Sequence, residues 1–360
     1  MAFGGAEQQS APAVLVLILN WNGWQDTLEC LQSLQASTYV GAQVAVLDNG
    51  SSDGSLEQIA GWAAGAAEAV AVVRYDRSQA EAGGDVLHEA AVFGGLPPAQ
   101  RLILIDNQEN MGFAAGNNVG LRFALQRDYE YVLLLNNDTV VEATAIERLV
   151  QLLQEQQHLV GATPRIRYYD SDRIWNCGGD LTWYGSRKYH WHGRPAAATP
   201  QREWGRITFM TGCAAFLRTS LLHQVGLLTE RFFFGEEDYE FSLRLQARGL
   251  ALACCYEALV LHKVGRSIQR SSSQKVLRSS YVYHLARSID LREHWSPLRW
   301  HLWRQWSMLY TLPLLWLRYH IGLRQLWELR RRLLHDSIVL HGVDKSRFER
   351  AMQGWYDSPE

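Results

Sequence analysis

The sequence predicts an α/β fold with a mostly parallel central sheet and a C-terminal helical extension. Short apolar runs alternate with segments of helical periodicity, and several of these runs end in small polar residues. An unbroken apolar run is typical of a strand that is buried on both faces, as in a parallel sheet covered by helices. The C-terminal part lacks this alternation and is dense in Trp, Leu and Arg, which predicts helices.

The elements of the first part alternate in the order expected of βαβ units. Predicted strands cover residues 13–19, 44–47, 70–75, 102–105 and 131–135. Predicted helices cover residues 27–34, 56–67 and 110–124. Segment 76–100 is rich in Gly and Ala and contains a Pro-Pro pair, which predicts an insertion or a mobile loop.

The pattern changes after Glu142, although strands and helices continue. We expect helices at 143–154 and 237–248, strands at 159–166, 251–254 and 258–261, and a hairpin or surface lobe at 175–194. The domain prediction is a catalytic domain at 1–267, a helical region at 268–345 that is a candidate for the membrane interface, and a tail at 346–360.

Polar residues follow three of the predicted strands. They are Asn20-Trp21-Asn22, Asp48-Asn49-Gly50-Ser51 and Asn136-Asn137-Asp138. Ligands of open α/β sheets bind beyond the carboxyl ends of the strands, so these residues indicate a nucleotide pocket. Asp138 has two interpretations, a metal ligand facing a diphosphate or the cap of the following helix. No Gly-rich phosphate loop is present in these turns.

A second acidic group precedes an apolar helical segment. Glu237 and Asp238 fall in the first turn of that helix, where acids also favour the helix dipole. The pair therefore has a purely structural interpretation and a catalytic one, in which one carboxylate is a general base.

These elements together resemble the family 2 glycosyltransferases, especially bacterial rhamnosyltransferase-like and galactofuranosyltransferase-like members. The resemblance covers roughly residues 13–290, and the matching segments occur in the same order. They are LNWNG (19–23), VLDNGSSDGS (46–55), ENMGFAAGNN (109–118), LLLNNDTVV (133–141), TGCAAFLR (211–218), FFFGEEDYEFSLR (232–244) and HKVGRS (262–267).

The resemblance implies a GT-A fold and an inverting, metal-dependent transfer of a sugar from a nucleoside diphosphate. Asp48 matches the residue that contacts the base of the nucleotide. Asp138 matches the last acid of a D-x-D-like motif that binds Mg²⁺ or Mn²⁺, and His262 matches a histidine that completes the metal site. A capping or core role is the alternative for His262. Asp238 matches the catalytic base, with Glu237 as its nearest competitor.

The other candidate residues belong to the donor, metal and acceptor sites. Asn136 stands where an acid is common in the family, which leaves Asp138 as the main protein ligand and Asn136 as a further candidate. The remaining donor-binding candidates are Asn20, Asn22, Asn110, Gly112, Asn137 and Arg266. Trp175, Gly179 and Trp183 are candidates for an acceptor platform, and core packing is the alternative.

Composition suggests where the protein works. The segment from Arg266 to His335 has 13 Lys or Arg and three acidic residues, and six of the 14 Trp lie between Trp295 and Trp327. Such a surface suits anionic lipid better than nucleic acid, and no nucleic-acid partner is expected. A soluble bundle with Arg at its edge is the alternative. Five scattered Cys indicate reduced thiols, so we expect a cytoplasmic protein, peripheral on the inner face of the membrane.

The sequence therefore predicts an enzyme of cell-surface polysaccharide synthesis. Its donor would be a dTDP- or UDP-sugar, with rhamnose a candidate sugar, and its acceptor a saccharide or a lipid-linked saccharide. The alternative is a catalytically silent subunit that binds sugar nucleotides or acts as a scaffold. A nucleotidyltransferase would need a Gly-rich basic loop after the first strand, and Asn20-Trp21-Asn22-Gly23 is not one.

Overall fold

The computed structural model describes residues 11–66, 69–264 and 272–354. The strands among these residues are β1 (Val14–Asn20), β2 (Ala42–Asp48), β3 (Ala71–Asp76), β4 (Arg101–Asp106), β5 (Tyr131–Asn136), β6 (Thr139–Val141), β7 (Leu159–Tyr168), β8 (Ile174–Asn176), β9 (Gly179–Leu181), β10 (Arg187–Tyr189), β11 (Trp204–Ile207), β12 (Ala214–Arg218) and β13 (Ala251–His262). The α-helices are α1 (Trp24–Gln35), α2 (Ser55–Gly65), α3 (Arg77–Glu81), α4 (Val86–Phe93), α5 (Phe113–Leu125), α6 (Ala145–Glu155), α7 (Thr219–Val225), α8 (Glu237–Ala247), α9 (Ser273–His294), α10 (Pro297–Tyr319), α11 (Leu323–Val339) and α12 (Lys345–Gln353).

A large sheet organises the first part of the chain. Its strand order is β11-β13-β7-β12-β5-β1-β2-β4-β3, with β6 paired to β13 and β8 paired to β7. The half formed by β5, β1, β2, β4 and β3 is parallel throughout, and β12 enters antiparallel between β5 and β7. The predicted α/β fold with a mostly parallel sheet is therefore confirmed.

Both faces of the sheet are covered, as unbroken apolar strands require. In β1, Val16 and Ile18 belong to one apolar core, and Leu15 and Leu17 belong to the core on the other face. All four side chains are fully buried. Because alternate residues of a strand point to opposite faces, a strand buried on both sides must be apolar at every position.

Segment 76–100 is more regular than its composition predicts. It contains α3, α4 and a short 3₁₀ turn at Pro98–Gln100, so the loop interpretation is wrong for most of its length. Asp76 and Gln79 form a capping box at the start of α3, and Asp85 caps α4 by accepting hydrogen bonds from Leu87 N and His88 N. These caps stabilise two helices that are too short to show apolar periodicity.

Two further elements differ from the prediction. Residues 251–262 form one strand rather than two, with a register shift relative to β7 between Cys255 and Leu259. The sequence allows a break between the C-terminal helices near Pro313 or near Gly322. The Pro313 option is wrong, because α10 continues through Pro313 to Tyr319, and the Gly322 option is confirmed, because the chain turns at His320 in the left-handed conformation and Gly322 is the N-cap of α11.

The four C-terminal helices share an apolar core with the segment that leads into α8. Phe232 lies in this core beside residues of α9, α10 and α11, and its backbone forms a bridge to Val343. The predicted tail begins with a helix, α12, and Arg278 Nη1 donates to Met352 O at 2.9 Å. The predicted domain boundaries themselves stay a prediction.

None of the described helices combines the length and the apolar character that a membrane crossing requires.

Candidate functional site

The polar residues at the strand ends meet at one edge of the sheet. Asn20 is in register with Asp48, and Asp48 is in register with Asp106 on the next strand. Asn136 is in register with Leu19, one residue before Asn20. Since these strands are parallel, the loops that follow them share one side of the molecule, as expected for a ligand pocket of an α/β sheet.

Asn20 and Asp48 form the buried floor of this edge. Asn20 Nδ2 donates to Asp48 Oδ1 at 2.7 Å, and Asn20 Oδ1 accepts from Thr27 Oγ1 at 2.8 Å. Ser51 donates to the same Asp48 carboxylate through its backbone N–H at 2.9 Å and its hydroxyl at 2.6 Å. Asn20 has no exposed surface, so its observed contribution is to orient Asp48.

Asn22 and Asn137 hold neighbouring loops together. Asn22 is exposed, adopts a left-handed conformation with φ 50°, and accepts a hydrogen bond from Ser52 N at 2.8 Å. Asn137 Nδ2 contacts Gly23 O at 3.2 Å and Thr27 Oγ1 at 3.1 Å. The loop after β5 is therefore fixed against the start of α1.

Asn49 is a buried organiser of the site that the sequence analysis did not single out. Its Nδ2 donates to Asn110 Oδ1 and to Gly112 O, both at 3.1 Å, and its Oδ1 accepts from Asn107 Nδ2 at 3.3 Å. Its position directly after Asp48, at the end of a strand, is the sequence feature that could have identified it. Through these bonds it holds the loop that carries the predicted donor residues Asn110 and Gly112.

Gly112 lies against the backbone just before α8. Phe113 N donates to Phe233 O at 3.2 Å, and a Cβ atom on Gly112 would overlap that same carbonyl oxygen. Gly112 has φ 86° and ψ 178°, a conformation that is essentially restricted to glycine. A side chain here would separate the 107–112 loop from the segment that leads to α8.

Asp138 and His262 are brought together by strand pairing. β6 follows Asp138 directly and pairs with β13, with Thr139 opposite His262. His262 Nε2 lies 3.1 Å from Asp138 Oδ1, and Lys263 N donates to Asp138 O at 3.0 Å. The N-cap position of α6 is occupied by Thr144, not by Asp138. The capping alternative for Asp138 is therefore wrong.

The Asp138 carboxylate and the His262 imidazole are suitable ligands for a divalent cation that also coordinates a bound substrate. A carboxylate oxygen and an imidazole nitrogen are adjacent, and no group of three or more His, Cys, Asp or Glu positioned for a metal occurs among residues 11–66, 69–264 and 272–354. Mg²⁺ and Mn²⁺ commonly take one or two protein ligands and complete their shells with phosphate oxygens and water. Asn136 pairs through its backbone N–H with Cys213 O at 2.9 Å.

Asp238 lies in the first turn of α8. Its Oδ1 is 3.3 Å from Arg187 Nη1, and its Oδ2 accepts from Gly212 N at 3.4 Å. Burial raises the pKa of the Asp238 carboxyl above its usual range, although the positive charge of Arg187 opposes the shift. The side chain nevertheless keeps 22% of its surface exposed, so a substrate hydroxyl can reach it.

Glu237 differs from Asp238 in accessibility. Glu237 is 7% exposed, and its Oε2 has no hydrogen-bond partner among the described residues. Burial, and after it the charge of Asp238, raises the pKa of Glu237 to about 8. The surroundings of Glu237 thus favour its protonated form, and Asp238 is the accessible carboxylate of the two.

Three charged residues complete the surroundings of Asp238, and the sequence analysis singled out none of them. Glu236 forms ion pairs with Arg287 and, at 3.5 Å, with Arg187. The guanidinium of Arg287 lies 3.3 Å from the centre of the Tyr239 ring. Arg287 comes from α9, so the C-terminal helices contribute directly to the charge balance next to Asp238.

One short segment joins the two halves of the site. Cys213 O accepts from Asn136 N beside Asp138, and Gly212 N donates to Asp238. Burial, followed by the charge of Asp138, raises the pKa of the Cys213 thiol well above its usual value. Residues 212 and 213 therefore connect the base candidate, Asp238, to the strand end that precedes the metal-ligand candidate, Asp138.

The three acceptor candidates are not brought together. The Trp175 ring stands edge-on to His262, with centroids 4.4 Å apart. Gly179 is buried and exchanges two backbone hydrogen bonds with Phe209, both at 3.0 Å. Trp183 is 82% exposed at the β9–β10 turn. Arg266 lies outside the described residues.

Comparison with known proteins identifies the family. The family model described as glycosyltransferase-like family 2 matches residues 12–281. A low-salt glycan biosynthesis hexosyltransferase, Agl10 of Haloferax volcanii, is 25% identical over 182 residues, which are 50% of this chain and 56% of that protein. The chain thus aligns with little more than half the length of this relative.

Two solved structures share the fold. GalNAc-T7, solved with UDP, GalNAc and Mn²⁺, has a TM-score of 0.52 and 15% identity over 86% of this chain and 58% of its own. The mannosyltransferase PcManGT of Pyrobaculum calidifontis, solved with GDP-Man and Mn²⁺, has a TM-score of 0.52 and 14% identity over 96% of this chain and 85% of its own. With three quarters of its length matched by the family model, the chain belongs to the family 2-like glycosyltransferases and has the GT-A fold.

Proposed function

We propose that this protein is an inverting, metal-dependent hexosyltransferase of cell-surface polysaccharide synthesis. It would move a sugar, with rhamnose a candidate, from a dTDP- or UDP-sugar to a saccharide or lipid-linked acceptor. The observation that carries the proposal is the position of the accessible Asp238 carboxylate: it accepts from Gly212 N, and the next residue, Cys213, accepts from Asn136 N, two residues before Asp138, which in turn pairs with His262.

Inversion at the anomeric carbon requires one base. An acceptor hydroxyl attacks from the face opposite the leaving nucleotide and must lose its proton as it does so. Asp238 is accessible, and its raised pKa makes it a better proton acceptor than an ordinary aspartate. Arg187 contacts one oxygen of the Asp238 carboxylate, and Gly212 N donates to the other oxygen. These two contacts limit rotation of the carboxylate. A retaining double displacement would instead need a carboxylate nucleophile at the same carbon.

The donor would lie along the strand ends with its diphosphate towards Asp138 and His262. These two residues would hold Mg²⁺ or Mn²⁺, which when bound neutralises the charge that develops on the departing diphosphate. The two similar structures were solved with Mn²⁺ and with UDP or GDP-Man, which supports this assignment. Asp48 is held by three hydrogen bonds and would accept from the nucleobase.

A donor panel tests the proposal. The purified full-length protein is mixed with dTDP-, UDP- and GDP-sugars in the presence of Mg²⁺, Mn²⁺ or a chelator, and nucleotide binding is measured. Release of nucleoside diphosphate on addition of saccharide acceptors, with inversion of the anomeric carbon in the product by NMR, would support the proposal. Binding without transfer across a broad acceptor panel would favour the silent subunit instead.

The exposed face of α10 supports attachment to a membrane surface. Seven large apolar or aromatic side chains on this helix are more than half exposed: Leu298, Leu302, Trp306, Leu309, Tyr310, Trp316 and Leu317. With about 3.6 residues per turn, they all fall within roughly a third of the helix circumference and form one stripe along the helix. Exposed Arg299 and Arg318 lie on the same helix. An apolar stripe with basic neighbours is typical of helices that bind anionic bilayers in the interfacial plane.

We place this attachment on the cytoplasmic face of the cell membrane. Nucleotide sugars and reduced thiols would both be available on that side. The five cysteines are all free and buried in the structure, which agrees with thiols that need no disulfide partner.

A further inference from the structure

A groove runs between the β9–β10 turn and the helices α9 and α10. Its volume is about 600 Å³, within the range of small-molecule binding sites. Six of its lining side chains are Tyr or Trp: Tyr184, Tyr283, Trp303, Trp306, Tyr310 and Tyr319. The residues assigned above to the donor, the metal and the base do not line it. The groove is therefore separate from the donor pocket.

One side of the groove is continuous with the exposed stripe of α10. Trp306, Tyr310 and Leu314 line the groove and are 54%, 67% and 37% exposed. Leu309 and Leu317, which are 75% and 67% exposed, extend the same apolar surface along the helix. A hydrocarbon chain that lies along α10 would thus contact apolar side chains from the exposed stripe into the groove.

Arg287 forms part of the wall and carries an unused donor. It is 1% exposed, its Nε donates to Glu236, and its Nη1 donates to Gly185 O at 2.8 Å. Its Nη2 is buried and has no hydrogen-bond partner among the described residues. A buried N–H without an acceptor is costly, so a ligand oxygen placed there would stabilise the site.

The position of Arg287 connects the groove to the reaction. Glu236 binds both Arg287 and Arg187, and Arg187 binds Asp238. A head group held at Arg287 would therefore be linked through Glu236 to Arg187, the residue that contacts the base.

We propose that this groove binds the hydrocarbon chain of a lipid-linked acceptor, and that Arg287 donates from Nη2 to a phosphate oxygen at the head of that lipid. This inference rests on the proposed glycosyltransferase function and specifies its acceptor. The continuity with the α10 stripe favours a lipid over a free saccharide, which would not need an aliphatic surface. Charge-assisted hydrogen bonds from Arg are well suited to phosphate oxygens.

The test is direct labelling, so it does not depend on catalysis. The full-length protein is incubated with dodecyl phosphate that carries a photoreactive diazirine in its chain, and cross-linked residues are mapped by mass spectrometry. Ser280 lines the groove and is half-buried, so Ser280→Trp would fill it from α9. Ser279 is its exposed neighbour and not part of the groove wall, and Ser279→Trp is the matched control.

We expect labels on groove residues of the native protein and of Ser279→Trp, and at least a tenfold reduction of these labels in Ser280→Trp. Butyl phosphate and inorganic phosphate should compete poorly. Arg287→Lys keeps the charge but removes Nη2, and should weaken binding of dodecyl phosphate by about tenfold, the equivalent of one hydrogen bond to a charged group.

Three results would overturn the inference. Labels confined to the α10 stripe and insensitive to Ser280→Trp would indicate adsorption to the surface only. Equal competition by inorganic phosphate would indicate a site that binds the phosphate group but not the hydrocarbon chain. A dimer in light scattering that protects the groove from label would assign it to a second copy of the chain. If the groove is labelled but no sugar is transferred, lipid binding in the groove is supported and the proposed glycosyltransferase reaction is contradicted.

Discussion

His262 Nε2 lies 3.1 Å from Asp138 Oδ1, although 124 positions separate the two residues in the sequence. The contact follows from the antiparallel pairing of β6 with β13, which sets Thr139 opposite His262. His262 is further fixed by the edge-on ring of Trp175. The pair is therefore held in place by the sheet before any ligand arrives.

Removal of either member of this pair should impair metal-dependent nucleotide binding. Asp138→Ala and His262→Ala should each weaken nucleotide affinity in the presence of Mn²⁺ by about 10–100-fold, because each removes one of the two proposed protein ligands. Calorimetric titration with and without a chelator measures this effect. Asp172→Ala, an exposed aspartate, is the control. If Mn²⁺ enhanced nucleotide binding equally in all four proteins, the metal assignment would be wrong.

Asp238→Asn should abolish transfer while leaving the donor bound. Loss of a general base typically reduces kcat by about 10²–10⁴-fold. Nucleotide affinity should stay close to that of the native protein, because Asp238 contacts Arg187 and Gly212 rather than the donor edge of the sheet.

Glu237→Gln is the matched variant for this experiment, since Glu237 is adjacent but far less exposed. We expect a much smaller effect on kcat from Glu237→Gln. The reverse order of effects would move the role of base to Glu237.

Glu237 should also make stability depend on pH. Its pKa is about 8 in the folded protein and about 4.5 when unfolded, so unfolding releases a proton between these values. The stability that the protonated group contributes is complete below about 4.5 and is lost as pH rises through about 8. In this window the free energy of unfolding should fall by up to about 1.4 kcal/mol per pH unit relative to a protein without the group.

Urea unfolding at several pH values from 5 to 8 measures the difference between the native protein and Glu237→Gln. The stability of Glu237→Gln relative to the native protein should increase steadily with pH. A constant difference across this range would mean that Glu237 titrates normally.

The strand ends could be predicted from sequence because their signal is local. Each apolar run stops at a polar cluster, and parallel strands bring such ends to one edge. Arg187 and Arg287 could not be found in this way. They reach Glu236 from 49 and 51 positions away, in opposite directions along the chain, and ion pairs at such separations leave no periodic trace in a single sequence.

The two short helices of segment 76–100 illustrate a different limit. Their caps, Asp76 and Asp85, are recognisable in the sequence, but five and eight residues are too few to display a helical stripe. Gly and Ala content therefore favoured a loop. The sequence could not decide between a break at Pro313 and one at Gly322 for a related reason, since an exposed proline can be retained inside a helix whose other face is packed on α9.

Gly112→Ala should destabilise the protein through its backbone conformation and its contact with Phe233 O. The φ and ψ of Gly112 cost an alanine about 1–3 kcal/mol before the overlap with the carbonyl is counted. Gly61→Ala, within α2 and facing open space, is the control and should be neutral or stabilising by up to about 1 kcal/mol. Chemical denaturation measures both; equal stability of the two variants would contradict the role assigned to the Gly112 contact.

The apolar stripe of α10 predicts binding to anionic vesicles. Leu302→Glu and Leu309→Glu each replace an exposed leucine with a charge that an anionic surface repels. Burying one leucine contributes about 1.5–3 kcal/mol, so each variant should lower the partition coefficient at least about tenfold. Vesicle flotation with full-length protein measures the bound fraction. Leu87→Glu, which alters an equally exposed leucine on α4, should bind as the native protein does. If all three variants floated with the vesicles to the same extent, the membrane contact would have to lie elsewhere than on α10.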